Sequence, residues 1–278
     1  MSLTDWKMGA LSQLGGVHIL GRAHSYRNQD AFGYRSLSPT SFVAAVADGH
    51  GSQPYKYADE GARIAVDAAL DVLERTVNSG SFPKGILPRL IGAAIVREWR
   101  MRVRLRHEEK RNLAAEAQRT HYDTGDMQPF GTTLLALAVL DDYALAIQIG
   151  DGGIFYYDQV SGETHELIPR GEKLTPATTS LCQSTAGEIL EARIVCLPTA
   201  SLFLLMTDGI TDPYDGLSGD STVHIQWGTR FARQFEVATI PEVVTDMNKL
   251  ALQLAMQGGD DATVFFAHKP RVTPTENF

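Results

Sequence analysis

Four apolar runs of this sequence meet an aspartate where they meet a loop, and that arrangement restricts the fold more than any other feature. "FVAAVADGHG" (42–51) runs into Asp48, "ALAIQIGDGG" (144–153) into Asp151 and "SLFLLMTDGI" (201–210) into Asp208, while "GGDDATVFF" (258–266) starts from Asp260 and Asp261. The runs are short, rich in Val, Ile, Leu, Phe and Ala, and bounded by glycine, which reads as core strands rather than helices. A single Asp-Gly at a strand end is a turn signal. Recurrence says more, because strands of one core bring their ends together in space. Ionised carboxylates gathered at the rim of a hydrophobic core repel one another and lose hydration, so they need positive charge nearby. Lys and Arg are scarce beside these positions. A cation fills the gap.

The donors are oxygens, which suits Mg²⁺ or Mn²⁺. Glycine permits close backbone approach, so the Gly49 carbonyl joins Asp48, Asp151, Asp208 and Asp260 as a candidate ligand. No His/Cys set has zinc spacing, and Cys182 and Cys196 form neither a metal motif nor a disulfide framework. Two divalent ions ~4 Å apart acidify a bridging water and clamp both oxygens of an in-line phosphoryl displacement. The leaving alkoxide then needs a proton. His50, two residues beyond Asp48, is placed to give it near neutral pH, although a loop histidine is more often plain surface.

Around these motifs, 17–21, 31–36 and 42–47 read as strands, and Ala62, Ala65, Val66, Ala69, Leu70 and Leu73 form one stripe of a helix running from Tyr57 to Gly80. A second helix covers roughly 85–118, entered near Pro88. The stretch 132–168 reads as a meander of three or four strands, 189–196 and 202–207 as a strand pair, 229–236 and 241–257 as helices, and 262–268 as a closing strand. Strands and helices come in blocks, which favours α+β layers over a doubly wound parallel sheet. With 278 residues, no internal repeat and no Pro/Gly-rich linker, the chain reads as one domain.

A net charge of -8 argues against general nucleic-acid binding. The one basic run, "REWRMRVRLRHEEKR" (97–111), is either the solvated face of a long helix or a docking face for an acidic partner. "LLALAVL" (134–140), among the longest apolar runs, falls short of the ~20 residues of a membrane span, and the start lacks the pattern of a signal peptide. No membrane insertion is expected, and the compartment reads as cytoplasmic.

In order along the chain, "RNQDAF" (27–32), "VADGHGS" (46–52), "FGTT" (130–133), "IGDGG" (149–153), "MTDGI" (206–210) and "GDDAT" (259–263) resemble the motifs of the type 2C metal-dependent serine/threonine protein phosphatases. Each is weak alone; the ordered set is specific, and the resemblance extends from about Gly21 to His268. It implies an αββα sandwich of four layers, two central antiparallel sheets flanked by helix pairs, over 1–278 with a core at about 17–268 and a variable, flap-like segment at about 169–187. It further implies that Asp48 bridges two Mn²⁺ or Mg²⁺ ions with the Gly49 carbonyl on one, and that Asp208 and Asp260 complete the second site. Asp151 would hold a third, weaker ion with Asp208; Asp30 would support the ligands, and His50 would be the general acid. The implied reaction is hydrolysis of phosphoserine and phosphothreonine in a protein substrate, the target of a Ser/Thr kinase, by a metal-bridging water or hydroxide.

Three departures bear on this. The family's phosphate-binding arginine has Ser25 in its slot, leaving Arg27 or Arg22 as substitutes. Gln29 replaces a glutamate of many members, and Gly152-Gly153 replaces the common Ser-Arg after the third-metal aspartate. Two other functions compete: a regulatory or binding module that keeps the fold without turnover, and a metal phosphoesterase of small phosphates. Retention of the metal aspartates argues against the first, and comparing a phosphopeptide with a nucleotide separates the second.

Overall fold

The computed structural model describes residues 5–16, 27–80, 82–85, 87–114, 125–169, 178–211 and 223–270. Two five-stranded sheets, every neighbouring pair antiparallel, stack face to face. One sheet runs β2 (Ala31–Ser38), β3 (Ser41–Ala47), β4 (Leu134–Leu140), β5 (Tyr143–Ile149), β8 (Glu191–Cys196). The other runs β1 (Lys7–Gln13), β10 (Ala262–His268), β9 (Ala200–Met206), β6 (Gly153–Asp158), β7 (Glu163–Glu166).

Strand β3 shows how the layers are built. All of its residues are buried, because both faces of the sheet are covered. Phe42, Ala44 and Val46 point into the inter-sheet core, where Phe42 meets Phe203 and Phe265 and the edge of Trp6. The alternate residues Val43, Ala45 and Ala47 face helix α1 (Ala58–Asn78). Their small size lets the alanine stripe of α1 lie close to the sheet, and all six predicted stripe residues are buried there. Helix α2 (Pro88–Leu113) packs beside α1 and begins on Pro88, whose missing N–H costs nothing at a first-turn position. Trp99 of α2 is fully buried, and its Nε1–H donates to the Gly61 carbonyl of α1 at 3.0 Å.

Helices α5 (Val223–Val237) and α6 (Ile240–Gly258) cover the outer face of the second sheet through Phe231, Phe235, Met247 and Leu254. Two short helices, α3 (Ala186–Ile189) and α4 (Asp208–Thr211), sit in connections. The four expected layers are therefore present, helix pair, sheet, sheet, helix pair.

The structure corrects several boundaries. The expected meander over 132–168 is divided: β4 and β5 pair in one sheet, β6 and β7 in the other. The expected strand pair is divided too, since β8 pairs with β5 while β9 lies between β10 and β6. In both cases local apolar periodicity marks a strand without marking its sheet. Strand β1 precedes the expected start of the core and pairs with β10 from Lys7↔His268 to Gln13↔Ala262. The expected strand 17–21 and the end of the second helix beyond 114 lie outside the described residues.

Candidate active site

The topology delivers the aspartates to one end of the sandwich. Asp48 follows the last residue of β3, Asp151 is the middle residue of the three-residue connection Gly150–Gly152 between β5 and β6, and Asp208 opens α4 just after β9. Helix α6 stops at Gly259, whose φ of 85° turns the chain into Asp260 and Asp261, the two residues that lead into β10. Carboxylate oxygens of Asp48, Asp151 and Asp208 all lie within 4.8 Å of one another.

Backbone bonds hold this end. The Asp48 carbonyl accepts from the Thr133 N–H at 2.8 Å and from the Thr132 hydroxyl at 2.7 Å, while the Asp48 N–H donates to Thr133 Oγ1 at 3.0 Å. Gly49 N–H donates to the Gln29 carbonyl and His50 N–H to the Gly131 carbonyl, each at 3.2 Å. A side chain at Gly49 would put its Cβ 2.7 Å from the Ala58 carbonyl oxygen and 2.8 Å from that of Gln29, so only glycine fits.

Electrostatics mark the cluster as under-compensated. Burial pushes Asp48 well above the usual carboxylate range, and Asp208, Asp30 and Asp260 push it further. Burial likewise raises Asp30, opposed by a hydrogen bond from Thr263 and reinforced by Asp261, Asp260 and Asp208. The charge of Asp260 raises both. Asp30 Oδ2 accepts from the Thr207 hydroxyl at 3.1 Å, but Asp30 Oδ1 and Asp151 Oδ1 are buried without a hydrogen-bond partner among the described residues. Buried anionic oxygens left open are what a hard cation would satisfy, and the carboxylate and carbonyl donors suit Mg²⁺ or Mn²⁺.

Of the Asp260-Asp261 pair, Asp261 is used by the fold. It is buried, and its two oxygens accept from Gly15 N–H at 2.8 Å and Gln29 N–H at 2.6 Å, tying the "RNQD" loop to the start of β10. Asp260 is exposed, and its Oδ1 accepts from the Asp261 N–H at 2.8 Å. His50 packs edge-on against Tyr55 with ring centroids 4.7 Å apart, and burial lowers its pKa against the opposing pull of Asp151. Arg27 has its guanidinium largely in solvent, 3.8 Å from Asp59 on α1. Arg22 and Ser25 lie outside the described residues.

Several contributors carry no readable sequence signal. The Thr178 hydroxyl donates a short hydrogen bond to Asp151 Oδ2, and Thr179 Oγ1 accepts from Gly150 N–H at 2.9 Å. Ser180 Oγ pairs with the Thr132 backbone at 3.1 Å in both directions. The exit of the variable segment is thus stitched onto the strand ends that carry Asp48 and Asp151, and only the cluster of Thr and Ser at 178–180 could have hinted at it.

Among curated proteins, none matches the sequence. Among solved structures, the chain is similar to the serine/threonine phosphatase PstP/Ppp of Mycobacterium tuberculosis, with 18% identity, TM-score 0.57, and 96% of this chain and 99% of that one covered. It is also similar to PppA, described as a key regulatory component of the T6SS in Pseudomonas aeruginosa, with 19% identity, TM-score 0.56 and coverage of 96% and 98%. A third similar structure, with 18% identity, TM-score 0.53 and coverage of 96% and 99%, is the catalytic domain of PstP in complex with two manganese ions. At these identities the structural matches speak for the fold. The protein phosphatase 2C family profile matches residues 21–253, most of the length, and the chain belongs to that family.

Proposed function

We propose that this chain is a metal-dependent phosphatase that removes phosphate from phosphoserine and phosphothreonine in proteins. The convergence of Asp48, Asp151 and Asp208 at one end of the sandwich carries the reading. Asp48, the Gly49 carbonyl, Asp208 and Asp260 would hold two ions, Mn²⁺ or Mg²⁺, with Asp151 and Asp208 available to a third, weaker one. The complex of PstP with two manganese ions supports that stoichiometry. Ions held there supply positive charge to the phosphoryl oxygens and lower the pKa of water.

The remaining work falls to the chain's own residues. Asp30 receives the Thr207 hydroxyl on one oxygen, and its other oxygen is buried without a hydrogen-bond partner among the described residues, so it is suited to orient water beside the ligands. A ring N–H of His50 would donate a proton to the serine or threonine oxygen as the ester bond breaks. Burial lowers the His50 pKa and Asp151 opposes it, so the protonated ring is a stronger but scarcer acid near neutral pH. Arg27 or Arg22 would recognise the phosphate; the Arg27 guanidinium lies largely in solvent, 3.8 Å from Asp59. The substrate would be a phosphoprotein generated by a Ser/Thr kinase, and 1–278 would act as one catalytic domain. Among the described residues no helix is long and apolar enough to cross a membrane.

Turnover of a phosphothreonine peptide, a nucleotide and p-nitrophenyl phosphate, each with and without Mn²⁺, tests this directly. The expected result is Mn²⁺-dependent hydrolysis with the peptide preferred over the nucleotide. Preference for the nucleotide, or turnover unaffected by chelation, would overturn it.

A further inference from the structure

Helix α2 carries a basic run whose two sides differ in compensation. On the side toward α1, Arg102 meets Asp71 at 2.6 Å and Glu98 at 2.7 Å, Arg106 meets Glu60 at 2.6 Å, and Lys110 meets the same Glu60 at 2.6 Å. On the other side, Arg97 and Arg104 are exposed and make no ion pair among the described residues. Between and beside them Met101 is 49% exposed and Leu105 55% exposed. These residues line a groove of about 820 Å³ whose far wall is the segment around Ser184 and Gly187. Arg100 fixes that wall, donating to the carbonyls of Gln183 at 2.6 Å and Ser184 at 3.0 Å.

We infer that this groove docks an acidic, amphipathic segment of a partner protein. Charge complementarity selects the occupant. Arg97 and Arg104 lie two helical turns apart, roughly 10 Å along the axis. Met101 falls between them on the same stripe, so a ligand that matches the wall presents two carboxylates about that far apart with an apolar side chain between. Glu108, one turn beyond Arg104, and Glu188 across the groove also line it. They disfavour a continuous polyanion such as a nucleic-acid backbone, and the chain's net charge of -8 opposes one further. A bare solvated helix face would not need half-exposed Met101 and Leu105 alternating with unpaired arginines. The groove is linked to the candidate active site through the chain: its wall follows Ser180, which pairs with Thr132, which in turn donates to the Asp48 carbonyl. A partner seated there lies beside the segment that braces the strand ends.

The test uses the full chain and a fluorescein-labelled dodecapeptide of the repeat Glu-Glu-Leu-Leu, followed by fluorescence anisotropy. Controls are the corresponding Lys-Lys-Leu-Leu peptide and a 12-nucleotide oligouridylate. The acidic peptide is expected to bind tightest, to weaken with added salt, and to lose about tenfold in affinity in the double variant Arg97→Glu/Arg104→Glu. That variant should instead favour the lysine peptide, and Met101→Ser/Leu105→Ser should weaken the acidic peptide without changing its salt dependence. Thermal unfolding and p-nitrophenyl phosphate turnover should match the parent, because the altered side chains are exposed and outside the catalytic end. No binding of the acidic peptide, equal binding to the charge-reversed variant, or tighter binding of the oligouridylate would overturn the proposal. Because the readout is binding, none of these outcomes bears on the phosphatase reading.

Discussion

Two groups of carboxylates in this molecule face opposite electrostatic fates. In the seam between α1 and α2, burial pushes Glu60 up, but hydrogen bonds and charge from Lys110 and Arg106 outweigh it and hold Glu60 below the usual range. Asp71 behaves likewise, with Arg102 and Arg35 prevailing over burial. At the strand ends, burial raises Asp48 and Asp30, and the neighbouring charges are mostly other aspartates, which raise them further. The seam stores its own counter-charge. The strand ends wait for an external one, and that difference separates a structural acidic cluster from a candidate metal centre.

The largest effect that should sharpen the contrast is Asp48→Asn. It removes the carboxylate coupled to Asp208, Asp30 and Asp260 together, and should reduce phosphopeptide turnover to background while leaving the fold intact. Steady-state kinetics and circular dichroism on the same preparation check both halves. Asp151→Asn should reduce turnover less, because this residue shares its charge with the Thr178 hydroxyl.

Next in size is His50→Ala. General-acid catalysis is typically worth about 10²–10⁴-fold. The loss should fall in that range on a phosphothreonine peptide and be much smaller on p-nitrophenyl phosphate, whose leaving group needs little help. Equal losses on both substrates, with weaker Mn²⁺ binding, would make His50 part of the metal shell instead.

The seam should show the smallest effect, and in stability rather than turnover. Asp71→Asn leaves Arg35 and Arg102 without their shared carboxylate and should cost about 1 kcal/mol, since both partners are partly solvated. The pH dependence has a definite sign. Glu60 and Asp71 have folded pKa values below their unfolded ones, so their contribution is present above the ordinary carboxylate pKa and is lost as pH falls through the lowered values. Asp48 and Asp30 have folded values above their unfolded ones, so in metal-stripped protein they destabilise increasingly as pH rises from about 4 through the raised values. Chelated protein should therefore gain stability on mild acidification, and Asp48→Asn should lose most of that gain, which thermal unfolding from pH 7 to pH 5 would reveal.

Most of the strand-end cluster was legible in the sequence because its signal is local: an apolar run and the aspartate at its end are adjacent in the chain. The α1 stripe was legible for the same reason, since helical periodicity fits within one segment. What could not be read depends on distant partners. Nothing in 132–168 says that β5 and β6 part into different sheets, because only the pairing of β6 with β9 decides it. "KMGALSQ" lacks the continuous apolar character of a central strand, and its place at the sheet edge comes from β10. Asp260 and Asp261 are neighbours of one type, yet only the return of Gly15 and Gln29 to Asp261 assigns that residue to the fold. Thr178 falls in a segment of weak periodicity, and its bond to Asp151 is a tertiary contact.

Thermal unfolding of chelated protein at pH 7, with and without added Mn²⁺, for the parent chain and Asp48→Asn, tests the central claim most directly. An ion that binds only the folded state at 100 times its Kd adds about 2.7 kcal/mol, which for a chain of this size is roughly 5 °C. The parent should melt higher with Mn²⁺ by that order. Chelated Asp48→Asn should melt above the chelated parent, because it sheds an uncompensated buried charge, and should respond little to Mn²⁺. An Asp48→Asn variant that melts lower than the chelated parent, or that Mn²⁺ stabilises as much as the parent, would contradict the reading of the strand ends as a cation site.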